Sequence, residues 1–289
     1  MITADLTGNC GNQQIIYTIT RVVAETLGYE FGFNKTPSHD YYNGKMQLDF
    51  FDLDYGKEHV CRFGEIPEEI KYIWKEPTQK FKNLNTNDSY NFHPYDNKLF
   101  KIADNTKLIV QSCQNAKYYR HKKQDIKKWF KIKHEKIVKA NREFKNNNIV
   151  FDDNLCVLNI RGGLEYKSTS NLLLKKKYWT DSMKHMKNIN PNINFCVITD
   201  DVLYAKNLLG LPTYHFDIST DYYALTQSKN LIISNSSFAI MPTYLSDNCN
   251  NVIAPFGWAR HNCSDGYFAS SDMRTFGWNF MDREGKIDG

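Results

Sequence analysis

From Leu155 onward, short apolar runs alternate with amphipathic segments, and this alternation restricts the fold more than any other feature of the chain. The apolar runs predict strands at 155–160, 195–199, 213–216, 231–234 and 251–254. The segments between them have helical spacing and predict helices at 175–188, 202–209, 220–228 and 238–246. Strands and helices that alternate in this way indicate a parallel sheet covered by helices on both faces.

Polar side chains follow three of these predicted strands. They are Arg161 with Gly162 and Gly163, then Asp200 and Asp201, then Asn235, Ser236 and Ser237. Because right-handed crossovers bring the carboxyl ends of parallel strands to one edge of the sheet, we expect these residues to lie together. A guanidinium at that edge suits an anion such as phosphate, and a carboxylate suits a ribose or a guanine edge. Individually, the arginine can form a salt bridge and the others can cap helices; together they favour a nucleotide site.

The first 33 residues predict a strand at 2–6, a helix that ends at Gly28, and a second strand at 29–33. The loop before this helix contains Gly8, Gly11 and Asn12, and glycines there let backbone N–H groups approach an anion closely. The loop matches neither the dinucleotide-binding fingerprint nor a Walker loop. A further strand is predicted at 107–111.

Residues 34–100 have no clear periodicity and are rich in Asn, Asp, Tyr, Pro and Gly. They include Asp52 and Asp54, a D-x-D pair of the kind that holds a divalent metal against a diphosphate, since hard cations prefer oxygen ligands. The same short pattern is common in turns and on surfaces, and we expect that simpler explanation here.

Charge is concentrated between Lys117 and Lys145, where 12 Lys or Arg residues stand against three acidic residues. Apolar residues at helical spacing within this region favour the solvated face of one or two helices over a nucleic-acid surface.

Seven scattered cysteines without C-x-x-C spacing indicate reduced thiols, and no signal peptide or membrane span is expected. We therefore expect a cytoplasmic protein.

Five motifs, in order along the chain, resemble the α-1,2-fucosyltransferases of glycosyltransferase family 11, within the wider GDP-fucose-dependent superfamily. The 8–13 loop is similar to the family's G-G-L-G-N-Q, and 110–119 to its G-Y-x-Q-S-x-K-Y-F. Residues 159–163 stand where the family has H-I-R-R-G-D, 198–201 where it has F-S-D-D, and 232–238 where it has I-I-A-N-S-S-F. Departures fall in the third motif: Asn159 replaces its His, Gly162 its second Arg and Leu164 its Asp, with Glu165 one position later.

The resemblance implies an α/β protein of the GT-B architecture, with two Rossmann-like domains facing across a cleft. We place an acceptor-side domain at 1–148, a nucleotide-sugar-binding domain at 149–258, and a segment that packs back on the first domain at 259–289. The implied reaction is an inverting, metal-independent transfer from a GDP-sugar, most often GDP-fucose, to a carbohydrate hydroxyl, with no cofactor.

Without a metal, we expect Arg161 to meet the charge of the leaving diphosphate. Glu165 and Asp40 are candidate bases because they are carboxylates near predicted functional loops, and either can also be an ordinary surface residue. Donor-binding residues are then expected in both predicted domains: Gly11, Asn12, Asn159, Asp200, Asp201, Asn235, Ser236 and Ser237. Three alternatives remain open: another nucleotide-sugar donor on the same fold, an inactive protein that binds a nucleotide sugar, and a metal-dependent transferase that uses Asp52 and Asp54.

Overall fold

The computed structural model of the chain describes residues 1–33, 46–57, 65–82, 89–168, 172–263 and 272–288. The chain forms two compact units. Unit 1 comprises Met1–Lys131 and Ser270–Thr275, and unit 2 comprises Ile132–Ala269 and Phe276–Gly289. Both are α/β units built on parallel sheets, so the predicted α/β class is confirmed.

Unit 1 contains six strands and two α-helices in its described part. In chain order they are β1 (Ile2–Ala4), α1 (Cys10–Leu27), β2 (Phe31–Phe33), β3 (Tyr72–Lys75), β4 (Gln79–Lys82), β5 (Ser89–Phe92), β6 (Thr106–Ile109) and α2 (Lys123–Trp129). Four of the strands form a parallel sheet in the order β2-β1-β6-β3, and β4 pairs antiparallel with β5.

Helix α1 forms because its apolar residues recur at helical spacing and nearly all of them enter the core. Ile15, Ile19 and Val22 are at most 1% exposed. The helix ends where predicted, because Gly28 adopts the left-handed conformation (φ 72°) and its N–H donates to the Ala24 carbonyl.

Unit 2 follows the predicted alternation closely. Its elements are α3 (His134–Asn146), β7 (Leu155–Ile160), α4 (Leu164–Lys167), α5 (Lys176–Ile189), β8 (Asn194–Thr199), α6 (Val202–Leu209), β9 (Thr213–Tyr214), α7 (Ile218–Gln227), β10 (Asn230–Ile233), α8 (Ile240–Leu245), β11 (Asn251–Pro255), β12 (Asn279–Met281) and β13 (Ile287–Asp288). The strand order is β13-β12-β11-β10-β7-β8-β9, and every pairing except β12 with β13 is parallel.

One hydrophobic cluster of unit 2 lies between this sheet and α5. Leu158 and Ile232 on the sheet and Met186 on α5 are fully buried (0% exposed). Each such side chain stabilises the unit by about 2 kcal/mol through removal of apolar surface from water.

The division between the units lies earlier than the expected boundary at 148/149. Helix α3 belongs to unit 2, because Phe144 packs on Tyr223 of α7 (ring centroids 6.1 Å apart) and on Phe216 (6.0 Å). This helix buries Ala140 and Phe144 and exposes Arg142, which is the amphipathic arrangement expected for the basic region. Within the 259–289 segment, Ser270–Thr275 belongs to unit 1, whereas β12 and β13 extend the sheet of unit 2.

No helix in the described ranges is long and apolar enough to cross a membrane. The cysteines that the structure describes are all free thiols, and Cys10, Cys113, Cys156 and Cys196 are buried.

Candidate functional site

The strand order of unit 2 defines a crevice at the carboxyl edge of its sheet. The chain passes from β7 to β8 and β9 on one side, and then to β10 and β11 on the other. In open α/β sheets ligands bind outside the carboxyl ends of the strands at such a reversal. Arg161 follows β7 and Asn235 follows β10, so these two predicted residues flank the crevice.

Arg161 is held in place by three neighbours. Its Nη1 lies 2.5 Å from Asp200 Oδ2, and its Nη2 lies 3.1 Å from Glu165 Oε2. The guanidinium carbon lies 5.5 Å from the centre of the Tyr166 ring, a cation–π distance. A quarter of the side chain (26%) is exposed, so this fixed positive charge can reach an anion in solvent.

Asp200 connects the ends of β7 and β8. Its Oδ1 accepts a hydrogen bond from the Gly162 N–H at 2.7 Å, and its Oδ2 accepts one from the Gly163 N–H at 3.2 Å. Together with the Arg161 ion pair, these contacts give the carboxylate three donors. Charge-assisted hydrogen bonds of this kind are about twice as strong as neutral ones.

The two glycines are required for close approach rather than for a tight turn. Gly163 has φ −64° and ψ 172°, a conformation open to any residue. A Cβ on Gly163 would lie 2.6 Å from Asp200 Oδ2, and one on Gly162 would lie 2.4 Å from Cδ1 of the Tyr204 ring. Space, and not backbone angle, therefore favours glycine at both positions.

Tyr166 joins the two sides of the crevice. Its hydroxyl donates to the Asn235 carbonyl oxygen at 2.8 Å, while its ring faces Arg161. Burial raises the pKa of this phenol to about 12, although the positive charge of Arg161 and a hydrogen bond with Ser236 act in the opposite direction. Tyr166 is therefore a neutral donor at physiological pH.

Asn235 is buried (4% exposed) and holds the loop before α5, since its Nδ2 donates to the Leu172 carbonyl at 3.0 Å. Its Oδ1 has no hydrogen-bond partner within the described part of the chain, which leaves an acceptor at this end of β10. Ser236 is also buried, and Ser237 begins a short 3-10 turn that no side chain caps.

Asp201 and Asn159 make structural contacts. Asp201 caps α6 by accepting from the Tyr204 N–H at 2.9 Å and lies 2.5 Å from Lys167 Nζ, whose hydrogen bond lowers the pKa of this carboxyl. Asn159 points along the sheet, and its Nδ2 donates to the Ile198 carbonyl at 3.4 Å. The capping interpretation is thus confirmed for Asp201, whereas Asp200 binds the loop after β7.

Gly11 and Asn12 lie in unit 1, in the first turn of α1. Gln47 Oε1 accepts from the Cys10 N–H at 2.8 Å and so caps this turn. The candidate base Asp40 lies outside the described residues. The other predicted site residues are in unit 2.

Asp52 and Asp54 are exposed, and Asp54 Oδ1 accepts from the Gly56 N–H at 2.8 Å in a local turn. Within the described ranges, no group of three or more His, Cys, Asp or Glu side chains is arranged to hold a metal ion.

A His–Asp pair that was not predicted from the sequence lies at the same edge of the unit 2 sheet. His215 follows β9, and its Nδ1 lies 2.9 Å from Asp221 Oδ2, while Asp221 Oδ1 accepts from the Phe216 N–H at 3.0 Å. The hydrogen bond with Asp221 raises the pKa of His215, and burial raises the pKa of Asp221. A histidine directly after a predicted strand, with an aspartate in the next helix, was the available signal. Tyr166 and Lys167 carried no such signal in the sequence, because their partners are distant along the chain.

The chain matches no family model and no curated protein. Among solved structures it is similar to NodZ α-1,6-fucosyltransferase soaked with GDP-fucose, with 10% identity over 88% of this chain and 94% of that one, at a TM-score of 0.49. It is also similar to POFUT1 in complex with GDP-fucose, with 10% identity over 93% of this chain and 96% of that one, at a TM-score of 0.48. Fucosyltransferase NodZ from Bradyrhizobium aligns with 85% of this chain and 92% of its own, at 10% identity and a TM-score of 0.47.

Proposed function

We propose that the chain is a glycosyltransferase that binds the diphosphate of a nucleotide-sugar donor at the carboxyl edge of the unit 2 sheet. The observation that carries this proposal is the position of Arg161 at the reversal of strand order, fixed by Asp200, Glu165 and Tyr166 and still partly exposed. A planar guanidinium in such a position suits bidentate recognition of phosphate.

The motif resemblance supports GDP-fucose as the donor and a GT-B arrangement in which unit 1 supplies the acceptor side. In the proposed inverting transfer, the acceptor oxygen forms a bond to the anomeric carbon while the bond from that carbon to the diphosphate oxygen breaks. The acceptor proton passes to a base, and negative charge grows on the leaving diphosphate. Arg161 meets that charge without a metal.

The contact between Glu165 and Arg161 argues for a revised role of Glu165. In an inverting displacement, the base lies on the face of the sugar opposite to the leaving group. A carboxylate 3.1 Å from the diphosphate-binding guanidinium is on the leaving-group side. We therefore propose that Glu165 positions Arg161, and Asp40 remains the other candidate base.

Thermal-shift measurements with GDP, UDP, TDP and CMP test the donor class. Stabilisation by GDP that EDTA does not change is expected. A shift with UDP that requires manganese, and that Asp52→Asn with Asp54→Asn removes, would instead favour the metal-dependent alternative. A shift with a different nucleotide and no metal requirement would favour another donor on the same fold.

Slow hydrolysis of GDP-fucose tests whether the protein is an enzyme. Turnover is expected in the wild type and its loss in Arg161→Ala. Binding of GDP without hydrolysis or transfer from any sugar nucleotide would favour the inactive binding protein.

A further inference from the structure

Asp200 occupies the donor groups that an incoming phosphate would need. Its two oxygens take the Gly162 and Gly163 N–H groups, and its Oδ2 also takes Arg161 Nη1. Successive backbone N–H groups beside a guanidinium are a typical anion-binding arrangement. We call Arg161 with the amides of Gly162 and Gly163 the oxyanion cradle.

We propose that the Asp200 carboxylate and a donor phosphate compete for the oxyanion cradle, and that Asp200 thereby selects nucleoside diphosphates over free pyrophosphate. This inference rests on the proposed nucleotide site and concerns a specificity-determining residue within it. Each N–H group has a single hydrogen to donate, so both anions cannot bind it fully at once.

The geometry allows Asp200 to leave without dismantling the cradle. Its side chain is 24% exposed, so the released carboxylate turns toward water. Arg161 stays in place during the exchange because Glu165 holds the other terminal nitrogen and Tyr166 covers the guanidinium. Phosphate therefore replaces one anion on a guanidinium that is already oriented.

The released carboxylate lies at the end of β8, next to β7 in the sheet. In this strand order, an acidic residue at the end of the second strand accepts a hydrogen bond from the ribose of the ligand. The ribose of a nucleoside diphosphate therefore gives Asp200 a new hydrogen-bond donor, whereas pyrophosphate offers none. Asp200 thus lowers the affinity for pyrophosphate more than the affinity for a nucleoside diphosphate.

Isothermal titration calorimetry of Asp200→Asn with pyrophosphate and with GDP, in EDTA, tests the proposal. An amide is a weaker occupant of the cradle and a weaker acceptor for ribose. We expect the variant to bind pyrophosphate about tenfold more tightly, because the competing occupant is weakened. We expect it to bind GDP more weakly, so that the ratio of the two affinities falls.

Asp153→Asn is the matched control, because Asp153 is exposed at the opposite edge of the same sheet, where it pairs with Lys229. It should leave both affinities unchanged. Asp200→Ser provides a second variant if Asp200→Asn does not fold, as judged by thermal unfolding.

A folded Asp200 variant that binds pyrophosphate no better than the wild type overturns the competition. Failure of both proteins to bind pyrophosphate also overturns it. If the wild type binds no nucleoside diphosphate but the variant gains pyrophosphate affinity, the cradle competition stands and the proposed function fails.

Discussion

Glu76 in unit 1 and Asp200 in unit 2 are carboxylates at equivalent positions in their sheets. Each follows a parallel strand, Glu76 after β3 and Asp200 after β8, and each accepts backbone N–H groups from the loop after the neighbouring strand. Glu76 takes the N–H groups of Gln111, Ser112 and Cys113 at 2.8, 2.6 and 2.7 Å. Both carboxylates thus fix a loop at the carboxyl edge of a sheet.

The two carboxylates differ in their access to water. Glu76 is 4% exposed, whereas the Asp200 side chain is 24% exposed and the loop that it fixes contains Arg161. A buried carboxylate that left its three donors would remain buried without partners. Burial of an unpaired charge costs several kcal/mol, so this movement is unfavourable. Glu76 therefore stabilises the fold, whereas Asp200 can exchange with a ligand.

The largest effect is expected for Glu76→Ala. Three N–H groups, two of them buried, would lose their acceptor, which should cost roughly 3 kcal/mol in the free energy of unfolding. Asp200→Asn should cost only about 1 kcal/mol, because water can reach its partners. Thermal unfolding, together with hydrogen exchange over 106–119, checks this difference. Glu69→Ala, at an exposed position in unit 1, is the control. Equal losses for Glu76 and Asp200 would contradict the contrast between them.

A smaller effect is expected for Glu165→Gln, which tests how strongly Glu165 holds the Arg161 side chain in place. Loss of the partner of Arg161 Nη2 should weaken GDP binding about fivefold, in the range of a partly exposed ion pair. Calorimetry measures the affinity, and GDP-fucose hydrolysis measures the turnover at saturation, which should be largely retained. Unchanged GDP affinity with turnover abolished would restore Glu165 as the base. Glu135→Gln, exposed on α3, is the matched control.

The smallest effect is expected for the third carboxylate, Asp221, through its partner His215. Asp221 raises the pKa of His215 above the ordinary 6.5, so this pair stabilises the fold fully below about pH 6.5 and less as the pH rises through the raised value. Because the imidazole is 48% exposed, the change should stay below about 1 kcal/mol.

Thermal unfolding of the wild type and His215→Gln at pH 6 and at pH 8.5 measures this effect. The variant should lose part of the pH dependence, and His134→Gln, exposed on α3, should not. The same change in stability between the two pH values in the wild type and in His215→Gln would exclude His215 as the source of this pH dependence.

The sequence predicted strands β7 to β11 and helices α5 to α8 of unit 2, because these strands are apolar runs and these helices have clear periodicity. It did not predict β3, where Tyr72 and Ile73 are 54% and 47% exposed, or β12, whose three residues become a strand by pairing with β11. Such short segments take their conformation from neighbours that are distant in the chain.

For the site, the sequence identified Arg161 and Asp200 and placed them at one edge. Their direct contact depends on the pairing of β7 with β8, which joins residues 39 positions apart. No local pattern carries that information, and none links Tyr166 to Asn235. The sequence therefore indicates which chemistry is present, and the fold decides which groups bind each other.

The most direct test of the nucleotide site is calorimetric titration of GDP, in EDTA, into the wild type, Arg161→Ala and Arg142→Ala. Arg142 is an exposed arginine on α3 of the same unit. We expect a loss of about a hundredfold in affinity for Arg161→Ala, in the range for removal of a charge-assisted phosphate contact, and no change for Arg142→Ala. Equal GDP affinity in all three proteins would contradict the placement of the donor diphosphate at Arg161.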